Sequence, residues 1–170
     1  MRYLLDTNVI SEAHKKNPHP IVSQWLRQVP PGSLYMSVLT LGEMRKGVSG
    51  IGDGHRRERV LGFLDGQYLA WFGDRVLSVD SKVADSWGDL EAKSSRTLPT
   101  IDALLAATAM AHGMVLVTRN TKDFEIIGLN VLNPWTEGGN GPSDPFVVNE
   151  PKAHYRVPKK TGTKQRKVRK

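Results

Sequence analysis

Short apolar runs alternate along the chain with longer stretches in which apolar residues recur every three or four positions. The short runs predict buried strands over residues 3–5, 34–38, 76–79, 114–118 and 129–132. The longer stretches predict helices over residues 21–29, 39–47, 56–69, 81–94 and 101–111. Because strands and helices alternate, we expect an α/β fold in which helices cover both faces of a parallel sheet.

The clearest helix signals lie in the second half of this pattern. In the stretch 56–69 the apolar positions that predict a buried face are Val60, Leu61, Leu64 and Tyr68. The stretch 101–111 is rich in Ala and Leu and is followed by His112 and Gly113. Glycine readily adopts the left-handed backbone conformation that ends many helices, so we expect this helix to end there.

Charge is distributed unevenly over the 170 residues. The chain carries 24 Lys+Arg and 17 Asp+Glu, but nine of the basic residues and only three of the acidic ones lie after residue 136. That last segment is rich in Gly and Pro and poor in aliphatic residues, so it cannot bury enough apolar surface to offset the entropy of ordering. We therefore expect one domain, residues 1–136, and a disordered basic tail, residues 137–170. The tail either binds nucleic acid through its phosphates or adds only solubility.

Composition excludes several classes of protein. The absence of cysteine excludes disulfides, thiolate zinc sites, iron–sulfur clusters and a cysteine nucleophile. No apolar run approaches the roughly 18 residues of a membrane span. The early acid Asp6 does not fit a secretory signal peptide. We therefore expect a soluble, cytoplasmic protein without a membrane association.

Four acidic residues stand near predicted strand ends or helix starts. Asp6 follows the first strand, Glu43 lies in the helix after the second strand, Asp102 begins the Ala-rich helix and Asp123 follows the strand 114–118. In doubly wound parallel sheets, the ligand crevice lies at the carboxyl ends of the strands. We therefore expect these carboxylates to meet at one edge of the sheet.

Each acid also has a purely structural interpretation. Asp102 and Asp123 suit the positive end of a helix dipole, Thr40 and Glu43 have the spacing of a capping box, and Asp6 can end a strand or cap a helix. These structural interpretations do not explain why four acids would share one crevice. Two unit charges about 4 Å apart repel by ~4 kcal/mol at an effective dielectric near 20. A hard divalent cation such as Mg²⁺ or Mn²⁺ relieves that repulsion, since it prefers carboxylate and water oxygens.

Five motifs around these acids occur in a recognisable order. They are Leu-Asp-Thr-Asn-Val-Ile-Ser-Glu at 5–12, Glu-Met-Arg-Lys-Gly at 43–47, Ile-Asp-Ala-Leu-Leu-Ala-Ala-Thr-Ala at 101–109, Thr-Arg-Asn-Thr-Lys-Asp-Phe at 118–124 and Asn-Pro-Trp at 133–135. The set, which runs from residue 1 to about 135, strongly resembles PIN-domain ribonucleases, and within them VapC/FitB-type toxins of type II toxin–antitoxin systems. The resemblance implies a three-layer α/β/α PIN-like fold with a central, mostly parallel sheet.

The same resemblance implies a function. It is that of an endoribonuclease dependent on Mg²⁺ or Mn²⁺, with one or two ions, that hydrolyses RNA phosphodiesters and is neutralised by a cognate antitoxin. Such proteins form homodimers or larger toxin–antitoxin assemblies. The family's acidic, metal-holding and catalytic positions fall on Asp6, Glu43, Asp102 and Asp123, of which Asp6 and Asp102 are expected to hold the metal most directly. The chain departs from the family pattern by its basic extension after residue 135.

The resemblance also assigns supporting polar positions to Asn8, Thr118 and Asn120. From the residues alone, Asn8 could equally cap a helix and Thr118 could simply end a strand. Arg45 either contacts an RNA phosphate or pairs with the acid cluster. Two other functions fit the sequence: a non-catalytic nucleic-acid-binding module whose tail binds RNA or DNA, and a housekeeping PIN nuclease without an antitoxin.

Overall fold

The computed structural model describes residues 1–93, 98–125 and 128–136. Its strands are β1 (Tyr3–Leu5), β2 (Leu34–Ser37), β3 (Val76–Leu77), β4 (Val115–Val117) and β5 (Val131–Leu132). Its α-helices are α1 (Thr7–Ala13), α2 (Pro20–Gln28), α3 (Val38–Ser49), α4 (Gly54–Phe63), α5 (Leu69–Phe72), α6 (Ser81–Lys93), α7 (Thr100–His112) and α8 (Thr121–Glu125). The predicted basic tail, residues 137–170, lies outside the described residues. None of the described helices combines the length and apolar character needed to span a membrane.

The five strands form one sheet in which every pair is parallel, in the order β3-β2-β1-β4-β5. Leu5 at the end of β1 is in register with Met36 of β2 on one side and with Val117 of β4 on the other. The strand order reverses between β1 and β4, since β2 and β3 lie on one side of β1 and β4 and β5 on the other. In parallel sheets this reversal opens a crevice at the carboxyl ends of the two strands.

Alternate residues of the central strands pack into two different hydrophobic cores. Leu5 and Val117 belong to the core formed with α1, α2 and the segment around Tyr68. Leu4 and Leu116, one residue earlier in each strand, belong to the core formed mainly with α7. Side chains of a strand point alternately to opposite faces, so the sheet is the middle layer between two helical layers. The expected three-layer α/β/α architecture is confirmed.

Helix α3 begins earlier than the sequence pattern predicts. No residue separates it from β2, because Ser37 both ends the strand and caps the helix, accepting a hydrogen bond from the Leu39 N–H at 3.2 Å. Thr40 therefore lies inside the helix, where its hydroxyl donates to the Leu5 carbonyl at 3.4 Å. The capping-box interpretation of Thr40 and Glu43 is wrong.

The helix predicted over residues 56–69 is instead three consecutive segments: α4, a π-helical turn (Leu64–Tyr68) and α5. A π turn closes i→i+5 hydrogen bonds and takes in one more residue than an α turn. Side chains four residues apart therefore stay on one face, and Leu64, Tyr68 and Phe72 are all buried. The predicted buried face is confirmed at Leu64 and Tyr68.

Helix α7 ends as predicted, at His112 followed by Gly113, whose φ of 57° is in the left-handed region. The helix begins at Thr100, so Asp102 lies in its first turn. This placement brings the Asp102 carboxylate to the positive end of the helix dipole.

Candidate functional site

The candidate site lies at the crevice between β1 and β4. Asp6 is the first residue after β1, and its N–H donates to the Val117 carbonyl of β4 at 3.0 Å. Its own carbonyl accepts the N–H of Val9 at 3.0 Å, which starts helix α1. Strand β4 and the first turn of α1 therefore fix the main chain at Asp6.

The side chain of Asp6 is held by two neighbours. Its Oδ2 accepts a hydrogen bond from the Thr118 hydroxyl at 2.5 Å and another from the Asn8 amide. The same Asn8 nitrogen lies 2.9 Å from the hydroxyl oxygen of Thr118, which is fully buried at the end of β4. Asn8 is the second residue of α1 and not its N-cap, so the capping interpretation of Asn8 is wrong.

Asn120 extends this network to Asp123. Its N–H donates to the Thr118 hydroxyl at 3.0 Å, and its side-chain amide donates to Asp123 Oδ2 at 2.7 Å. Asp123 lies in the first turn of α8. The three polar residues singled out in the sequence thus connect Asp6 to Asp123 through continuous hydrogen bonds.

Glu43 approaches the same place from α3. Its Oε2 accepts a hydrogen bond from the hydroxyl of Thr7, the residue after Asp6. Thr7 is not among the site residues predicted from the sequence, although it stands between two that are, Asp6 and Asn8. The contact depends on the packing of α1 against α3, which no local pattern reveals.

The fourth carboxylate, that of Asp102, is electrostatically coupled to the other three. Burial raises the pKa of Asp102 most, and the charges of Asp6, Glu43 and Asp123 raise it further. Burial also raises the pKa of Asp6, as does the charge of Glu43, while hydrogen bonds from Thr118 and from the adjacent backbone oppose that rise. The fold therefore brings together all four acids that the sequence selects. We call them the acid site.

The acid site suits a hard cation in the type of its donors. Four carboxylates that repel one another supply the oxygen ligands that Mg²⁺ and Mn²⁺ prefer. Within residues 1–93, 98–125 and 128–136, however, no three Asp, Glu, His or Cys side chains are close enough to hold one ion as they stand. Asp6, Glu43 and Asp123 instead accept hydrogen bonds from neighbouring hydroxyl or amide groups. Joint coordination therefore requires the side chains to move closer together.

Arg45 does not pair with the acid site. Its guanidinium forms an ion pair with Asp65, and both side chains are about half exposed. That alternative is therefore wrong, while contact between Arg45 and an RNA phosphate stays a prediction. A different cation, Arg119, lies beside Thr118, and its backbone N–H donates to Asn8 Oδ1 at 3.1 Å.

A cavity of about 310 Å³ adjoins the acid site on the side of α1, α3 and α4. Thr7 and Glu43 line it together with apolar side chains such as those of Met44, Val60 and Leu64. Glu43 thus connects the acid site to a mostly apolar cavity.

The raised pKa of Asp102 predicts that this carboxylate destabilises the metal-free protein. A carboxyl group whose pKa is raised by folding contributes most stability below its ordinary pKa of 3.8, and that contribution is lost as the pH rises through the higher folded-state pKa. We therefore expect Asp102→Asn to melt at a higher temperature than the wild type at pH 7 in EDTA, with a smaller difference at pH 4. The matched control is Asp89→Asn, because Asp89 is exposed and pairs with Lys93 on the same helix, at 2.9 Å. A wild type more stable than Asp102→Asn at pH 7 would contradict the prediction.

A family model described as the PIN domain matches residues 3–128. The chain belongs to the PIN domain family. This match contains the motifs at 5–12, 43–47, 101–109 and 118–124, so the resemblance drawn from them is confirmed. The four residues of the acid site all lie within this match.

Proteins similar to this chain include a named ribonuclease and a toxin-antitoxin complex. The VapC ribonuclease Y4jK of Sinorhizobium fredii is 38% identical over 135 residues, covering 78% of this chain and 96% of the relative. The crystal structure of FitAcB from Neisseria gonorrhoeae is 32% identical, with a TM-score of 0.75, covering 78% of this chain and 98% of that one. A structure described as a toxin-antitoxin complex from Klebsiella pneumoniae is 27% identical, with a TM-score of 0.60, covering 78% of this chain and 97% of that one. These relatives match over nearly their whole length, while about a fifth of this chain has no counterpart in them.

Proposed function

We propose that this PIN domain is an endoribonuclease, the toxin of a toxin–antitoxin pair, which hydrolyses RNA phosphodiesters at the acid site. The observation that carries the proposal is the convergence of four carboxylates where the strand order reverses, with the charges of Asp6, Glu43 and Asp123 all acting on Asp102. The names of the similar proteins, a VapC ribonuclease and a toxin–antitoxin complex, support the substrate and the partner. A cytoplasmic location, where cellular RNA is available as substrate, is part of this proposal.

The carboxylate donors of the acid site suit a Mg²⁺ or Mn²⁺ cofactor, as one ion or two, which would bind once the side chains move closer together. Asp6 and Asp102 would hold it most directly, and Glu43 and Asp123 would complete the ligand set directly or through water. A bound divalent cation supplies activation of a water nucleophile and stabilisation of the charge that develops on the phosphate.

The remaining polar residues fix the orientation of the acids. Thr118 and Asn8 hold one oxygen of Asp6, Thr7 holds Glu43 and Asn120 holds Asp123. Hydrogen bonds of this kind restrict the rotamers of ligating side chains and so keep a site close to its productive geometry. The burial of Thr118 further limits its movement, since its side chain is fully enclosed.

Cleavage of RNA by the purified full chain tests the proposal. We expect total RNA to be cut in the presence of Mg²⁺ or Mn²⁺, to remain intact in EDTA and to be cut again when the metal is restored. Absence of cutting with Mg²⁺, with Mn²⁺ and with both ions together would favour a non-catalytic binding module. Cutting that persists in EDTA would contradict the metal dependence.

The partner is tested in cells. We expect expression of the chain alone to stop growth and co-expression of a cognate antitoxin, encoded beside it, to restore growth. Growth that continues despite active protein would instead favour a housekeeping PIN nuclease without an antitoxin.

Light scattering of the purified chain and of its complex tests the proposed homodimer and larger assembly.

A further inference from the structure

Arg119 is an exposed cation attached to the hydrogen-bond network of the acid site. It follows Thr118, whose hydroxyl binds Asp6, and its own N–H donates to Asn8 Oδ1 at 3.1 Å. Asn8 in turn donates to Asp6 through its side-chain nitrogen. The main chain of Arg119 is therefore fixed to a residue that contacts the acid site directly.

The guanidinium of Arg119 is held by an aromatic ring. Its central carbon lies 5.5 Å from the centroid of the Trp135 ring, within the range of a favourable cation–π interaction. Trp135 is half-buried against one hydrophobic core, and its backbone N–H donates to Asn133 Oδ1 at 3.0 Å. Asn133 directly follows β5, so the ring that supports Arg119 is anchored at the same edge of the sheet as the acid site.

Arg119 differs from Arg45 and Arg75 in what its guanidinium binds. Arg45 pairs with Asp65, and Arg75 donates to the carbonyls of Pro31 and Leu34 at 2.6 and 2.9 Å. Across the residues that the structure describes, the guanidinium of Arg119 has neither an ion pair nor a hydrogen bond to a protein oxygen. A guanidinium supported by a ring keeps its N–H donors for an external anion, and its planar fork matches a phosphate.

We infer that Arg119 binds a phosphate of the RNA adjacent to the one that is cleaved, with Trp135 positioning its guanidinium. The inference rests on the proposed ribonuclease function, because it takes RNA as the ligand. A flanking phosphate does not change its charge during hydrolysis, so it is bound equally in the ground state and the transition state. Loss of such binding raises KM and leaves kcat unchanged.

Kinetics of Arg119→Gln test the inference. We expect KM for a single-stranded RNA to rise about tenfold, the effect of losing one charge-assisted hydrogen bond, with kcat within about twofold of the wild type. The slope of log affinity against log salt should fall by about 0.7, the value for one phosphate of a single strand. Arg119→Lys, which keeps the charge, should restore the salt slope.

The matched control is Arg2→Gln. Arg2 is also exposed, but it precedes β1 at the opposite edge of the sheet, where it donates to the His112 carbonyl at 2.5 Å. We expect its KM and salt slope to equal those of the wild type. An equal rise of KM in both variants would overturn the inference, because it would show a general effect of positive charge.

Modified substrates make the test independent of protein stability. A single neutral methylphosphonate linkage placed near the cleavage point should raise the KM of the wild type at one flanking position and should have no further effect in Arg119→Gln. If the KM of the wild type is unchanged with the neutral linkage at every flanking position, the inference is overturned.

Binding in EDTA separates this inference from the ribonuclease proposal. By fluorescence anisotropy, metal-free Arg119→Gln should bind labelled single-stranded RNA more weakly than the metal-free wild type. If the wild type binds RNA through Arg119 but does not cut it, the ribonuclease proposal fails and the phosphate site stands. If Arg119→Gln binds single-stranded RNA as tightly as the wild type, or loses affinity only for duplex DNA, the phosphate site is overturned.

Discussion

Asp6→Asn is expected to lower the rate of RNA cleavage by about 10²–10³-fold, the scale of losing one group that stabilises charge in a transition state. Asn has the shape of Asp but no charge, and its amide is a much poorer partner for a divalent cation. The fold should persist, because the main-chain hydrogen bond from Asp6 to Val117 does not involve the side chain. Initial rates on a defined RNA with Mg²⁺ measure the effect.

The matched control for this variant is again Asp89→Asn, which removes one exposed carboxylate of α6. We expect it to cut RNA at the wild-type rate. Equal activity of Asp6→Asn and Asp89→Asn would show that cleavage takes place elsewhere or comes from a contaminant. Thr118→Val removes only the hydroxyl that orients Asp6. We expect it to lower the rate of RNA cleavage by less, about 10–100-fold.

Phe72→Ala is expected to lower the free energy of unfolding by about 3–5 kcal/mol. Phe72 is 1% exposed and ends α5, where its ring centroid lies 5.1 Å from that of Tyr68 and 4.6 Å from that of Trp71. The Arg75 guanidinium lies 5.3 Å from the same ring, so truncation leaves a cavity beneath several side chains. Urea denaturation followed by circular dichroism measures the loss.

Gln67→Ala serves as the control for Phe72→Ala. Gln67 is exposed in the neighbouring π turn, so its truncation should change the unfolding free energy by less than about 0.5 kcal/mol. A loss below about 1 kcal/mol in Phe72→Ala would mean that the segment 64–72 contributes little to the core. Both variants should keep RNA cleavage at temperatures where they remain folded, because neither residue lies in the acid site.

The sequence was sufficient to predict the edge of the sheet at which the acids meet. Asp6 follows a short apolar run and Asp102 begins an Ala-rich helix, so both positions follow from local pattern and from the geometry of parallel sheets. The long-range contacts could not be predicted in the same way. Arg45 pairs with Asp65, which lies 20 residues away on a π turn that the helical rhythm did not indicate.

The start of α3 illustrates a second limit of local rules. Ser37 and Thr40 are both favourable N-cap residues, and the spacing of Thr40 and Glu43 favoured the later start. Pairing of Ser37 with Leu77 in the sheet decides between them, because it keeps the strand intact up to Ser37 and lets the helix begin at once. That tertiary contact is invisible in the residues around Thr40.

The direct passage from β2 into α3 constrains how this chain can change in length over evolution. Each residue of an α-helix turns the side chains by about 100°, so one residue inserted between Ser37 and Glu43 would rotate the Glu43 carboxylate away from Thr7. Insertions and deletions should therefore accumulate in connections such as 14–19 and 50–53, while the distance along the chain from Ser37 to Glu43 stays constant among descendants that retain the activity.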